Sequence, residues 1–154
     1  MAALHDEIAW LPDRPLIGRT VAVTRARAQA SALAARLRAL GAAVVETPSI
    51  RIEPLAVTVP DLAGYDLICV TSPNGATRLL EEVRDARALA GPRIAAIGPG
   101  TARALAEGGI VADIVPPRAV AESLLEALAG ERVERVLIAR AEEARDLLPD
   151  GLRQ

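Results

Sequence analysis

Two segments of this chain end an apolar run in small and hydroxyl-bearing residues and then open a helical pattern. One is Val70-Thr71-Ser72-Pro73-Asn74-Gly75-Ala76, and the other is Ala96-Ile97-Gly98-Pro99-Gly100-Thr101-Ala102. A buried strand that feeds a helix through such a turn is the building unit of an open α/β sheet, and two of these rims side by side at the strand ends make a binding site. The unit recurs from residue 20 onward. Strand-like runs at 20–24, 43–47, 67–71, 93–98, 111–115 and 135–139 alternate with helical patterns at 26–40, 74–89, 100–107, 120–128 and 142–152. Strict βα alternation predicts an α/β fold with parallel strands and helices on both faces.

The first helical pattern carries Leu33, Leu37 and Leu40 at helical spacing, with Arg27, Arg36 and Arg38 toward water, and Gly41 follows as a C′ residue. One stretch breaks the alternation. Residues 48–60, PSIRIEPLAVTVP, have period two, are bounded by prolines and lead into no helix, which suits an exposed connector. The organisation expected is an N-terminal extension over 1–17, flexible and containing His5 without a role. A βαβ segment over 18–48, a linker over 49–60 and a second α/β unit over 61–154 follow. A single βαβ segment buries too little sheet to stand alone. The chain is therefore expected either to be truncated before a return segment completes the first unit, or to merge both segments into one sheet.

The charge pattern narrows the function. Acids and bases nearly balance, to a net charge of −2, and all 18 basic residues are arginine. They are interleaved with acids, and one Trp, one Tyr and no Phe leave few platforms for stacking bases, so nucleic acid is not an expected partner. No apolar run approaches the roughly 20 residues that span a bilayer. The N-terminus carries acids where a signal peptide carries bases, so a cytoplasmic protein without a membrane partner is expected. The single cysteine, Cys69, lies within Leu67-Ile68-Cys69-Val70 and reads as a small buried hydrophobe, which removes disulfide and thiolate-metal chemistry.

At the first rim, Ser72 is placed to cap a helix that has Pro73 in its first turn. The same helix N-terminus, with Thr71, Asn74 and Gly75, would equally hold an anion such as a carboxylate. At the second rim, Gly98 allows close approach of whatever lies above the strand end, with Thr101 one turn on. Gly-x-Gly without a third Gly, no glycine in the first βα turn and no Walker lysine argue against a nucleotide-binding Rossmann protein and against phosphate cofactors. Arg25 and Arg140 end the first and last strands, and Arg145 lies one helical turn beyond, a set suited to an acidic ligand. Asp66, Asp113 and Asp146 are scattered, no metal constellation can be assembled, and no nucleophile–base pair is visible. An enzyme built from these residues works by binding and positioning, without a cofactor. A non-catalytic module that binds an acidic small molecule fits the same residues.

In order and spacing, Val21-Ala22-Val23-Thr24-Arg25, Leu40-Gly41, Pro48, Asp66-Leu67-Ile68, Thr71-Ser72-Pro73-Asn74-Gly75 and Ile97-Gly98 with Thr101-Ala102 resemble the uroporphyrinogen III synthase family. So do Ala104-Leu105, Ala121-Glu122 with Leu124-Leu125, and Val136-Leu137-Ile138-Ala139-Arg140 followed by Arg145, Leu148-Pro149 and Leu152. The resemblance implies two flavodoxin-like domains joined by a two-stranded hinge, here truncated at the C-terminus before the last strand of the second domain and the return segment. It also implies cyclisation of hydroxymethylbilane, a linear tetrapyrrole with eight carboxylates, to uroporphyrinogen III with inversion of ring D. Thr71, Ser72, Gly98 and Thr101 would line the cleft, with Arg25, Arg140 and Arg145 as additions from strand-end placement. The full-length form is expected to be a monomer, and exposed sheet edges in a shortened form would favour pairing between chains.

Overall fold

The computed structural model describes residues 14–154, so His5 and most of the expected N-terminal extension lie outside the described residues. The chain divides into two compact units, one up to Leu55 and one from Ala56.

In the first unit, strand β1 (Thr20–Val23) pairs in parallel with β2 (Ala43–Glu46), Thr20 opposite Ala43 and Val23 opposite Glu46. Helix α1 (Arg27–Ala39) connects them. Its buried residues are Ala30 and Ala34, four residues apart, and Val23, Ala26 and Ala42 around it are buried as well, while Leu33 is exposed and Leu37 half-buried. The inward stripe is therefore one of small residues rather than the expected leucines, since alanine lets a helix sit close to a two-stranded sheet. Gly41 ends the helix at φ +95°. Its N–H donates to the Arg38 carbonyl and the Ala42 N–H to the Leu37 carbonyl, the paired bonds of a Schellman stop. Residues 14–17, assigned to the extension by sequence, form a turn whose Leu16 N–H donates to the Leu40 carbonyl at 3.0 Å. Beyond β2, Ser49 donates from both its N–H and its hydroxyl to the Thr24 carbonyl. Residues 50–58 are exposed and carry no regular structure.

The second unit is a three-layer sandwich. Its strands are β3 (Leu67–Val70), β4 (Arg93–Ala96) and β5 (Val136–Ala139), all parallel in the order β4-β3-β5. Helices α2 (Pro73–Glu82) and α3 (Pro99–Glu107) connect β3 to β4 and leave β4, and α4 (Ala121–Leu128) and α5 (Leu147–Leu152) flank β5 in sequence. Every residue of β3 is buried, and alternation of its side chains divides the core in two. Ile68 and Val70 pack with Ala76, Leu79 and Leu105 of α2 and α3. Leu67 and Cys69 pack with Leu124, Leu128 and Leu148 of α4 and α5. A continuous apolar strand is what a sheet covered on both faces requires. Burial pushes the Cys69 thiol up to about 12, consistent with a packing role.

Three elements differ from the sequence expectation. Residues 111–115 form only a single parallel bridge, Ala95 to Ile114. The Asp113 carboxylate takes the Ile94 N–H at 2.7 Å beside the backbone rungs, and Pro116-Pro117 stops further pairing. The pattern at 74–89 splits, because Val83 is extended and Asp85 accepts the Arg87 N–H to start a separate turn at Ala86–Leu89. The pattern at 142–152 contracts to α5, since Pro149 is tolerated only in a first helical turn. Among the described residues no helix is long and apolar enough to cross a membrane.

Candidate functional site

Strand order puts β3 between β4 and β5, while the chain runs β3, β4, β5. The connections therefore leave β3 in opposite directions, and the crevice this opens at the carboxyl ends is where open α/β sheets bind ligands. A cavity of about 310 Å³ lies there. Thr71 and Ser72 line it from β3, Ile97 from β4, Val120 and Ala121 from the start of α4, and Arg140 and Arg145 from beyond β5.

Each polar wall residue has a local reason for its position. Thr71 joins the β3 and β5 ends, since its N–H and its hydroxyl both donate to the Ala139 carbonyl at 3.1 Å. Ser72 is extended, and its hydroxyl accepts the Gly75 N–H at 2.9 Å, capping α2 with Pro73 in the first turn. Gly75 sits under this cap, where a Cβ would come within 3.1 Å of the Ala139 carbonyl oxygen. Asn74, between them, is half-buried.

The second rim is built differently. Gly98 precedes α3 with no side-chain cap, and its backbone is fully extended, a conformation open to any residue. What requires glycine is Ala119, whose Cβ would stand 2.5 Å from a Cβ at position 98. Gly98 is buried, and so is Thr101, whose N–H donates to the Gly98 carbonyl. The close approach expected at Gly98 is thus made by the chain's own loop. The two rims nonetheless adjoin, since a Cβ on Gly100 would lie 3.8 Å from Pro73 Cγ.

The two arginines of the cavity are held unequally. The Arg140 guanidinium donates to the Arg145 carbonyl at 3.1 Å and to the Asp146 carboxylate at 2.9 Å, with its side chain 24% exposed. Among the described residues Arg145 reaches Glu122, at 3.4 Å, and it is 72% exposed. Arg25 belongs to the first unit, exposed just after β1.

Other polar clusters lie away from this crevice. At the amino ends of β3 and β5, Asp66 accepts the Arg135 and Glu134 N–H groups at 2.8 Å each, and these bonds hold its carboxyl below the usual carboxylate range. A hollow of about 350 Å³ between Val59–Ala63 and Glu82–Ala90 also faces the amino ends. The Asp85 carboxyl near it is lowered by the side chain of Arg87 and then by its N–H. Among the described residues no three His, Cys, Asp or Glu side chains converge to hold a metal.

Of the nine residues expected at the site, the structure brings Thr71, Ser72, Arg140 and Arg145 onto the cavity wall. Asn74 and Gly75 continue the Ser72 turn, Gly98 and Thr101 are buried behind it, and Arg25 lies in the other unit. Sequence reasoning missed the wall formed by Ala119–Ala121, Ala144 and Leu148. It also missed Glu122 as the partner of Arg145, although the acid in the first turn of α4 was a legible signal.

A family model described as uroporphyrinogen-III synthase HemD matches residues 31–154. A uroporphyrinogen-III synthase of Synechococcus elongatus is 35% identical over 136 residues, covering 80% of this chain and 52% of that protein. A porphyrin biosynthesis protein HemD of Ruminiclostridium josui is 32% identical, covering 99% of this chain and 33% of that protein. Among solved structures, the wild-type uroporphyrinogen III synthase of Thermus thermophilus aligns with TM-score 0.53 at 28% identity, covering 88% of this chain and 57% of that one. A mutant of the same enzyme aligns with TM-score 0.62 at 25% identity. The chain spans about half the length, or less, of the curated relatives it matches.

Proposed function

This chain belongs to the uroporphyrinogen-III synthase family, and we propose that it contributes to closing hydroxymethylbilane into uroporphyrinogen III, with inversion of ring D and release of water. The observation that carries this reading is the crevice at the carboxyl ends of β3, β4 and β5, walled by the Thr71-Ser72 rim, the start of α4 and two arginines.

The substrate offers eight carboxylates. Helix N-termini attract anions through their partial positive charge, and arginine presents a planar fork that matches a carboxylate. Ser72, Asn74 and Gly75 at the start of α2 would receive one acidic side chain, and Arg145 another. Arg140, tied to Arg145 and Asp146, would keep the loop that carries Arg145 in place. Gly98 and Thr101 are buried at the start of α3 and support the adjoining rim.

The chemistry asks for departure of the substrate hydroxyl as water, then attack by a pyrrole carbon in a folded chain, through a spiro intermediate. Holding the two end rings together supplies on the order of 7 kcal/mol of the barrier in a well-oriented intramolecular reaction. These residues bind and orient, and the reading requires no cofactor. It places the protein in the cytoplasm, acting on a small polycarboxylate.

The test supplies freshly generated hydroxymethylbilane to the 154-residue chain and separates the type I and type III uroporphyrinogen isomers. Type III above the spontaneous type I background is the expected result. Type I alone, with the uroporphyrinogen still bound, removes closure from this chain by itself and leaves it binding.

A further inference from the structure

Arg145 and Arg140 share one cavity but differ in what holds them. Arg140 is fixed by two acceptors of the loop it begins, whereas the head of Arg145 meets a single carboxylate at 3.4 Å, Glu122. Both members of that pair are well exposed, at 72% and 48%, and a pair so exposed contributes little to stability and exchanges easily. The backbone carbonyl of Arg145 nevertheless accepts a hydrogen bond from Arg140, so its root is tied down independently of its head. Glu122 stands in the first turn of α4, next to the wall residues Val120 and Ala121. That helix has no side-chain cap, and an anion there is favoured by the unpaired N–H groups and the helix dipole.

Building on the substrate reading above, we infer that Glu122 is a tethered competitor for the Arg145 guanidinium, which a substrate carboxylate displaces, and that it sets a preference for polycarboxylates over simple acids. A tethered carboxylate acts at a high effective concentration, on the order of millimolar for a short flexible tether. A free monocarboxylate must outcompete it alone. A ligand already held at the Ser72 rim presents its next carboxylate as an equally intramolecular competitor, and exchange with Glu122 then becomes even.

The experiment is a fluorescence titration of the full chain with uroporphyrin III, the octacarboxylate obtained by oxidising the product, at low ionic strength. Glu122→Gln is expected to tighten binding about threefold, the scale of an exposed ion pair. Arg145→Gln is expected to weaken it, and in that background Glu122→Gln should change the dissociation constant less than about 1.5-fold. Unchanged affinity in Glu122→Gln, with Arg145→Gln still weakening, overturns the competitor role and leaves the substrate reading intact. Tightening of equal size in both backgrounds overturns it too, because it shows only the loss of one negative charge. Failure of the parent chain to bind uroporphyrin overturns the substrate reading and the inference with it.

Discussion

The rim after β3 and the rim after β4 follow one sequence recipe, a buried strand, small residues, a proline and a helix, and they end with opposite roles. At the first, Ser72 spends its hydroxyl on the Gly75 N–H and faces the cavity. At the second, Gly98 has no side chain to offer, lies buried and is covered by Ala119. The difference teaches that a strand-end glycine is equally suited to a ligand and to a neighbouring loop. Only the residue that approaches it distinguishes them.

The comparison breaks most sharply at Gly98. Gly98→Val forces a branched side chain into Ala119, and overpacking of this kind costs about 2 kcal/mol or more in urea unfolding. Ala119→Gly in the same chain should return a good part of it. If Gly98→Val leaves stability unchanged while reducing porphyrin binding, the second rim is a ligand surface after all. The next effect is smaller. Ser72→Ala should cost about 1 kcal/mol through loss of the cap, while Ser72→Asp retains most of the stability. Thermal unfolding of the three proteins side by side checks this.

A third change contrasts a partnered hydroxyl with an orphan one. Ser123 is buried in α4 and, among the described residues, its hydroxyl has no hydrogen-bond partner. Removing an unpaired buried polar group is neutral to favourable, so Ser123→Ala should raise stability by about 0.5 kcal/mol. Destabilisation on that substitution would reveal a partner for the hydroxyl. The smallest effect concerns the amino end of the sheet. There the Arg135 and Glu134 N–H groups hold the Asp66 carboxyl below its ordinary 3.8, so its ionised form stabilises the fold above the unfolded value. That contribution is lost as pH falls through the lowered folded value. Asp66→Asn should therefore lower the unfolding midpoint at neutral pH and match the parent in strong acid. A constant difference at every pH would assign the effect to packing instead.

Much of the fold was legible because the sandwich has simple periodicities. Leu67 to Val70 read as a doubly buried strand, and Ser72-Pro73 as a helix start, because those signals are local. Two of the misread elements turned on a side chain acting on backbone. Asp113 took a rung of the sheet edge and Asp85 started a new turn. The α1 stripe misled because leucine spacing reports amphipathicity, whereas the residues that are in fact buried are Ala30 and Ala34.

Local chemistry in the sequence determined the alternation of elements, the helix caps and stops, the apolar strand β3 and the arginine-bearing strand ends. These depend on neighbours within a few residues, where backbone geometry and side-chain type are enough. Tertiary structure alone decided that Ala119 covers Gly98, that Arg140 fastens its own loop, and that Glu122 meets Arg145 from 23 residues away. Contacts at such separations depend on how the strands are ordered and where the loops land, which no local pattern encodes.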